Sequence, residues 1–323
     1  MNPMKSHYQT TIDKPVIFVG VGLHSGEVAI LKLKPTTSAR GIIFRRTDVS
    51  PKKREIMARW YNVSDTTLST TLTNNSGVSV ATVEHLMAAL YGCGIDNVIV
   101  EIDGSEVPIL DGSAKDFVIN IEQAGIRFLT KERSVILVQR EVSIQDGDKY
   151  ATFSPSLSQK FSADLSFPDT AIGQQSFTFD RSCSSFKEQV ANARTFGFAE
   201  QIEQLKAAGL ARGGTLNNAI LVNKNKIINK EKLRYDTEFA RHKVLDAMGD
   251  LALSGYPVIA NYNSYKSGHD LNHKLLSKLM HDQKNWRLVS YTEYADLVGP
   301  NYAPNTAMEE KDTVIDKTQI RTA

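Results

Sequence analysis

The stretch TVEHLMAALYGCG, residues 82–94, decides the reading of this 323-residue chain. Val83, Leu86, Met87 and Leu90 recur at helical spacing, and Gly92 and Gly94 supply a stop, so a helix runs over 82–91. It feeds NVIVEI at 97–102, a buried-looking strand. The turn-rich loop DGSEVPILDGSAKD and an amphipathic helix near 114–124 follow. Upstream, β-branched or alternating residues between turn signals mark strands at 15–20, 27–35, 41–46 and 77–81.

The second half replays this order. Strands are expected at 134–142, 149–155 and 160–166, then a mixed region containing ANARTFGF and a helix near 199–208. The longest helix runs over 237–253, with Asp236 as its cap and Gly255 and Pro257 as its close. A strand at 258–262, the loop NSYKSGHD and a helix at 271–281 complete the echo. Setting His85 opposite His242 sets Gly92 opposite Gly249, each seven residues on. An α+β fold built by internal duplication is therefore expected. The polar stretch 130–134 marks the boundary between units 1–130 and 131–295, and the polar, aperiodic segment 296–323 reads as a mobile tail.

Length and composition agree with two folded units, at about 150 residues each. Hydrophobic residues make up 41% and charged residues 23%, so neither disorder nor a fibrous repeat fits. A formal charge of +2 gives no general attraction to nucleic acid or anionic membranes. The longest apolar runs, such as PVIFVGVGL at 15–23, fall short of the roughly 18 residues that span a bilayer. MNPMKSHYQT lacks a secretory h-region, and the two cysteines, Cys93 and Cys183, are too few for a disulfide framework or a cysteine-rich zinc site. A cytoplasmic, monomeric protein is expected. Any metal must be held by His and carboxylates.

In RHKVLDAMGDL, residues 241–251, His242, Asp246 and Asp250 fall at i, i+4 and i+8 on one stripe. A His and a carboxylate one turn apart can bite one metal ion. With Val244, Leu245, Met248, Leu251 and Ala252 on the opposite face, the same stripe also reads as a solvated surface. Glu84 beside His85 has the look of a base next to a ligand in zinc hydrolases. No second His follows on that helix, so on its own the pair reads rather as an ordinary helix-start Glu and a satisfied core His. Together, His85, His242 and Asp246 offer zinc two nitrogens and one carboxylate, leaving a fourth position for water. His269 stands in a loop entering a helix, where a histidine has a task more often than in a core, although a structural role remains the commoner case. His24, in the Gly-bounded GVGLHSG, could present amides and an imidazole to a phosphate, or simply occupy a hairpin turn. Lys243 and Lys266 read on their own as surface lysines.

With TVEHL at 82–86, RTFGF at 194–198, RHKVLDAMGDL at 241–251 and SGHDLN at 267–272, the chain resembles the UDP-3-O-acyl-N-acetylglucosamine deacetylases, the zinc amidases of lipid A synthesis. GVGLHSG at 20–26 and EVPILDGSA at 106–114 extend the likeness, which reaches about residue 290. The resemblance implies two similar α+β domains whose helices are sandwiched between two sheets, with the active site at the domain interface. An insert near 195–222 would wall a passage for an acyl chain. The resemblance makes His85, His242 and Asp246 the metal ligands, Glu84 the general base, His269 the general acid and Asp250 its orienting partner. Thr195 would help hold the oxyanion, Phe196 would lie beside the substrate, and Lys243, Lys266 and His24 near the nucleotide sugar. Where members of the family can carry a cysteine near the zinc, this chain has Ser69. The implied cofactor is Zn2+, with Fe2+ compatible with the same ligands. The implied substrate is a small acylated UDP-sugar. A zinc amidase for another N-acetylated nucleotide sugar and a non-catalytic nucleotide-sugar binder are the competing readings.

Overall fold

The computed structural model describes residues 7–37 and 39–299. The fold is α+β, with two five-stranded sheets and the principal helices between them. The first sheet runs Val16–Val21, Val28–Lys34, Val98–Ile102, Ile42–Arg46, Glu55–Met57. The second runs Val142–Asp146, Lys149–Ser154, Asn261–Tyr265, Lys160–Phe167, Gly173–Asp180. In both, the third and fourth strands pair parallel and every other pair is antiparallel. The same order and the same pairing senses thus recur in the two halves.

The helices in chain order are α1 (Glu84–Gly92), α2 (Lys115–Ala124), α3 (Phe186–Gln189), α4 (Ile202–Ala207), α5 (Glu238–Leu251), α6 (His269–His281) and α7 (Tyr291–Val298). In each half, the strand that enters the middle of the sheet follows a long helix, α1 or α5. One continuous core joins Leu31, Leu33 and Val100 of the first sheet, Leu86, Leu90 and Phe117 of α1 and α2, Leu245 and Met248 of α5, and Phe153 and Phe161 of the second sheet. α1 packs directly on α5. Their approach is so close that a Cβ on Gly249 would lie 2.0 Å from the Glu84 carbonyl oxygen, which accounts for glycine there.

Several local readings change. The His242, Asp246 and Asp250 stripe is not solvated: all three are buried, because α5 has the second sheet on one side and α1 on the other. The cap of α5 is Thr237 rather than Asp236, and it makes no side-chain cap bond. The segment read as 134–142 is two strands, Ser134–Val138 and the start of Val142–Asp146, and 258–262 likewise divides into Val258–Ile259 and Asn261–Tyr265. Residue 130, read as a boundary, lies inside the strand Ile126–Glu132, which pairs antiparallel with Tyr8–Ile12. The strand Ile126–Glu132 is mostly exposed, so its polar sequence lacks the alternation that marks a half-buried strand. The expected tail begins too early, since α7 carries the chain to Val298; the part from 300 onward lies outside the described residues. Among the described residues, no helix is long and apolar enough to cross a membrane.

The insert region forms a small sheet, Phe196–Phe198, Ile220–Asn223 and Lys226–Ile227, with α4 preceded by a 3-10 turn at Ala199–Gln201. Its underside joins Leu165, Ile172 and Phe239 in a separate apolar cluster. No residue of α4 is fully buried, and Leu216 nearby is exposed.

Candidate metal centre

The first turn of α1 presents His85 and the middle of α5 presents His242 and Asp246, so the α1–α5 contact itself assembles the cluster. One ligand atom from each of the three lies within 4.8 Å of the others, and all three residues are buried. Asp246 Oδ1 stands 3.2 Å from His242 Nε2 and 3.6 Å from His85 Nε2. The imidazole planes are nearly perpendicular, at 89°. His242 Nδ1 bonds to the Ala193 carbonyl at 3.0 Å, which places the ring proton on Nδ1 and leaves Nε2 as a lone-pair donor.

The charge state fits a cation. Burial pushes His242 down to about 3, so its ring is neutral at pH 7, the form that ligates a metal. Burial alone would raise the Asp246 carboxyl, yet His242 and Lys243 hold it well below the usual range. Lys243 Nζ donates to Asp246 Oδ2 at 3.0 Å. Asp246 Oδ1, by contrast, is buried with no hydrogen-bond partner, as is His85 Nδ1. An ionised, unsatisfied carboxylate oxygen facing two imidazoles is costly without a counter-charge, and a divalent cation supplies one. The donor set therefore fits a metal ion.

A second group abuts the cluster. Glu84 Oε2 accepts the Thr70 backbone N–H at 3.0 Å, and Oε1 lies 3.9 Å from His269 Nε2. Burial raises the Glu84 carboxyl above its ordinary value, and His269 and His85 oppose the rise. His269 Nδ1 donates to Asp250 Oδ2 at 2.9 Å. Burial would lower His269, but Asp250 and Glu84 outweigh it and push it up to about 10, so the ring is an imidazolium. An anionic acceptor and a cationic donor thus stand side by side next to the metal ligands.

Two residues that hold this pair were not singled out in the sequence. Thr70 binds both halves: its N–H serves Glu84, and its hydroxyl donates to Asp250 Oδ1 at 2.6 Å. Asn272 Nδ2 donates to Asp250 Oδ2 at 2.8 Å and its Oδ1 accepts the Tyr262 hydroxyl at 2.6 Å. Thr70→Val should leave fold and metal content intact and lower kcat about tenfold, the loss of one buried charge-assisted bond of about 1.5 kcal/mol. Thr70→Ser should restore it. Steady-state kinetics on the two variants check this, and equal rates in both would remove the positioning role.

The remaining predicted residues divide. Thr195 is pinned by its backbone, donating to the Gly112 carbonyl at 2.7 Å and accepting from Ile220 at 2.8 Å. It follows Ala193, which holds His242, by two residues. Phe196 lies 6.3 Å from the His242 ring, and Lys243 Nζ is 5.9 Å from the Phe196 ring centre. His24 feels His269 electrostatically, and burial lowers its pKa. Its Nε2 is buried without a partner. Its turn is fixed by Glu106, which accepts the His24 and Ser25 N–H groups at 2.9 and 2.7 Å and the Thr82 hydroxyl at 2.9 Å. Lys266 is not drawn into the cluster: its ammonium pairs with Asp148 at 2.7 Å, a contact that raises its pKa. Ser69 is buried, one residue before Thr70.

Comparison with known proteins bears on this chemistry. The sequence model of one family, described as UDP-3-O-acyl N-acetylglycosamine deacetylase, matches residues 9–281. The UDP-3-O-acyl-N-acetylglucosamine deacetylase of Marinobacter nauticus is 48% identical over 289 residues, covering 89% of this chain and 94% of that protein. Those of Geobacter sp. (strain M21) and Campylobacter fetus subsp. fetus are 46% and 43% identical over 288 and 285 residues, covering 89% and 88% of this chain and 94% and 96% of theirs.

Proposed function

The chain belongs to the UDP-3-O-acyl N-acetylglycosamine deacetylase family, and from that premise we propose that it removes the N-acetyl group of UDP-3-O-(3-hydroxyacyl)-N-acetylglucosamine with a zinc ion held by His85, His242 and Asp246. The products are acetate and the free amino sugar, in the committed step of lipid A biosynthesis. The protein acts as a cytoplasmic monomer on a small-molecule substrate. The observation that carries the reading is the buried, unsatisfied Asp246 Oδ1 between two imidazole nitrogens, beside an acid and a base.

An amide resists hydrolysis because water is a weak nucleophile and an amine anion a poor leaving group. A zinc ion so held supplies Lewis acidity, which polarises a carbonyl and lowers the pKa of a water from about 15.7 toward about 7. Glu84 Oε1 accepts the proton of the attacking water as the new C–O bond forms. Thr70 keeps Oε2 occupied, so the carboxylate cannot turn away. The Thr195 hydroxyl and the Lys243 ammonium are assigned to the charge that grows on the acetyl oxygen, and such a donor, where prearranged, is typically worth about 2.7 to 4 kcal/mol. As the C–N bond breaks, His269 Nε2 gives its proton to the sugar nitrogen, and Asp250 holds the ring at Nδ1.

This pairing requires Glu84 ionised and His269 protonated. Activity therefore rises as pH climbs through the raised Glu84 value and falls as pH climbs through the His269 value of about 10. A bound dication moves both limbs downward by its charge. In Asp250→Asn the descending limb should shift to lower pH, because the largest charge that raises His269 is gone. A kcat/KM profile measured over about pH 5 to 10 checks this, and a flat profile removes the acid–base pair.

Acetate release from the acylated UDP-sugar, compared with that from unacylated UDP-N-acetylglucosamine, tests the substrate. Faster release from the acylated compound is expected. Equal rates would favour an amidase for other N-acetylated nucleotide sugars, and no release from either would leave a non-catalytic binder.

A further inference from the structure

At the opposite end of α1 from Glu84 and His85 lies a cleft of about 380 Å3. A narrower extension reaches Tyr91 in the last turn of α1 and Ile95 just beyond it. A nine-residue helix spans about 13 Å, which sets the cleft apart from the reaction centre. Its volume falls within the range of about 300 to 1,000 Å3 in which small-molecule sites are found.

The lining carries Arg40, Arg59, Lys131 and Arg133 against a single carboxylate, Asp96. On a chain whose overall charge is only +2, that is a local concentration of cations. Asp96 is already committed. Its carboxylate takes the Arg133 guanidinium at 2.6 Å and the Thr10 N–H at 2.8 Å. Arg40 leans on Glu55 at 3.3 Å in an exposed pair, where Glu55 also serves Arg45 at 2.8 Å. Arg59 and Lys131 have no ion pair among the described residues.

Arg59 is also held in place. Its guanidinium lies under Gly41 and Gly255, both with positive φ, and 5.8 Å from the centre of the Tyr256 ring. A Cβ at Gly255 would fall 1.9 Å from Arg59 Nη1, and one at Gly41 would fall 3.0 Å from Nη2. A guanidinium fixed by packing, with its donors uncommitted and a second free cation in the same cleft, is set up to receive a tetrahedral oxyanion. Tyr256, partly exposed on the rim, offers a ring face for a flat group attached to it.

We propose that this cleft binds a small phosphate monoester, with Arg59 and Lys131 on the phosphate. The ligand chemistry is shared by inorganic phosphate and by a nucleoside monophosphate, and calorimetric titration of the metal-loaded protein with each, separately, distinguishes them. One saturable site is expected. Tighter binding of AMP than of inorganic phosphate assigns the monoester, and the reverse would overturn that choice. Arg59→Gln should weaken binding about tenfold or more, as loss of a charge-assisted fork does, and Lys131→Gln about threefold. Deacetylase turnover should be unchanged in both variants. Arg59 is packed between two glycines, so its substitution perturbs local packing as well as charge. Lys131 is exposed, so Lys131→Gln keeps the test decisive. No saturable binding of either probe up to about 10 mM, a range that already covers weak millimolar sites, would overturn the proposal. So would AMP affinity unchanged by Lys131→Gln, or tighter binding of an acidic peptide than of AMP at the same site.

Discussion

Glu84→Gln is expected to keep one equivalent of metal and lose about a thousandfold in kcat, within the range of about 10² to 10⁴ for a positioned base. Glutamine can still accept the Thr70 N–H through its carbonyl oxygen, so the local frame survives while the proton acceptor is gone. Glu84→Ala should lose as much turnover and some stability besides, since it leaves the buried Thr70 N–H unsatisfied, at about 1 to 3 kcal/mol. The KM should change little in the glutamine variant, because Glu84 acts on the attacking water rather than on the sugar. Near-normal kcat with metal still bound would sink the assignment of Glu84 as base.

Asp246→Ala should fail differently, losing the metal first and the rate as a consequence. Two imidazoles alone remain, and His242 stays neutral, because the carboxylate that favoured its protonation has been removed. Losing the ion forfeits several kcal/mol of charge stabilisation, so a fall of about a thousandfold or more at ordinary metal levels is expected. Excess zinc should recover part of the rate, since the imidazoles persist. The same addition should do nothing for Glu84→Gln. Full metal content in Asp246→Ala would show that Asp246 is no ligand, and the distinction between the two variants separates holding the ion from moving the proton.

Much of this was legible in the chain. α1 and α5 announced themselves through Leu86, Met87 and Leu90 and through Val244, Leu245 and Met248, and the Gly92 and Gly249 echo pointed to two halves whose sheets share one strand order. Short strands such as Glu55–Met57 and Thr71–Thr73 were missed because three residues carry no measurable period. The burial of Asp246 and Asp250 was illegible for another reason. A helix covered on two sides has no polar face, so its one charged stripe looks solvated when it is in fact the interface with α1. Thr70 lies 180 residues from Asp250, and no local pattern predicts a bond between them. Lys266 could be placed near a substrate only by likeness; the structure spends its charge on Asp148.

The central claim is that one metal ion, clasped by His85, His242 and Asp246, is required for cleavage of the N-acetyl group. Its most direct test is to strip the purified protein with a chelator, measure bound metal per chain and acetate release from the acylated UDP-sugar, then titrate zinc back. The account predicts that activity vanishes with the metal and returns in proportion to it, levelling off at one equivalent. Undiminished acetate release from metal-free protein would contradict it.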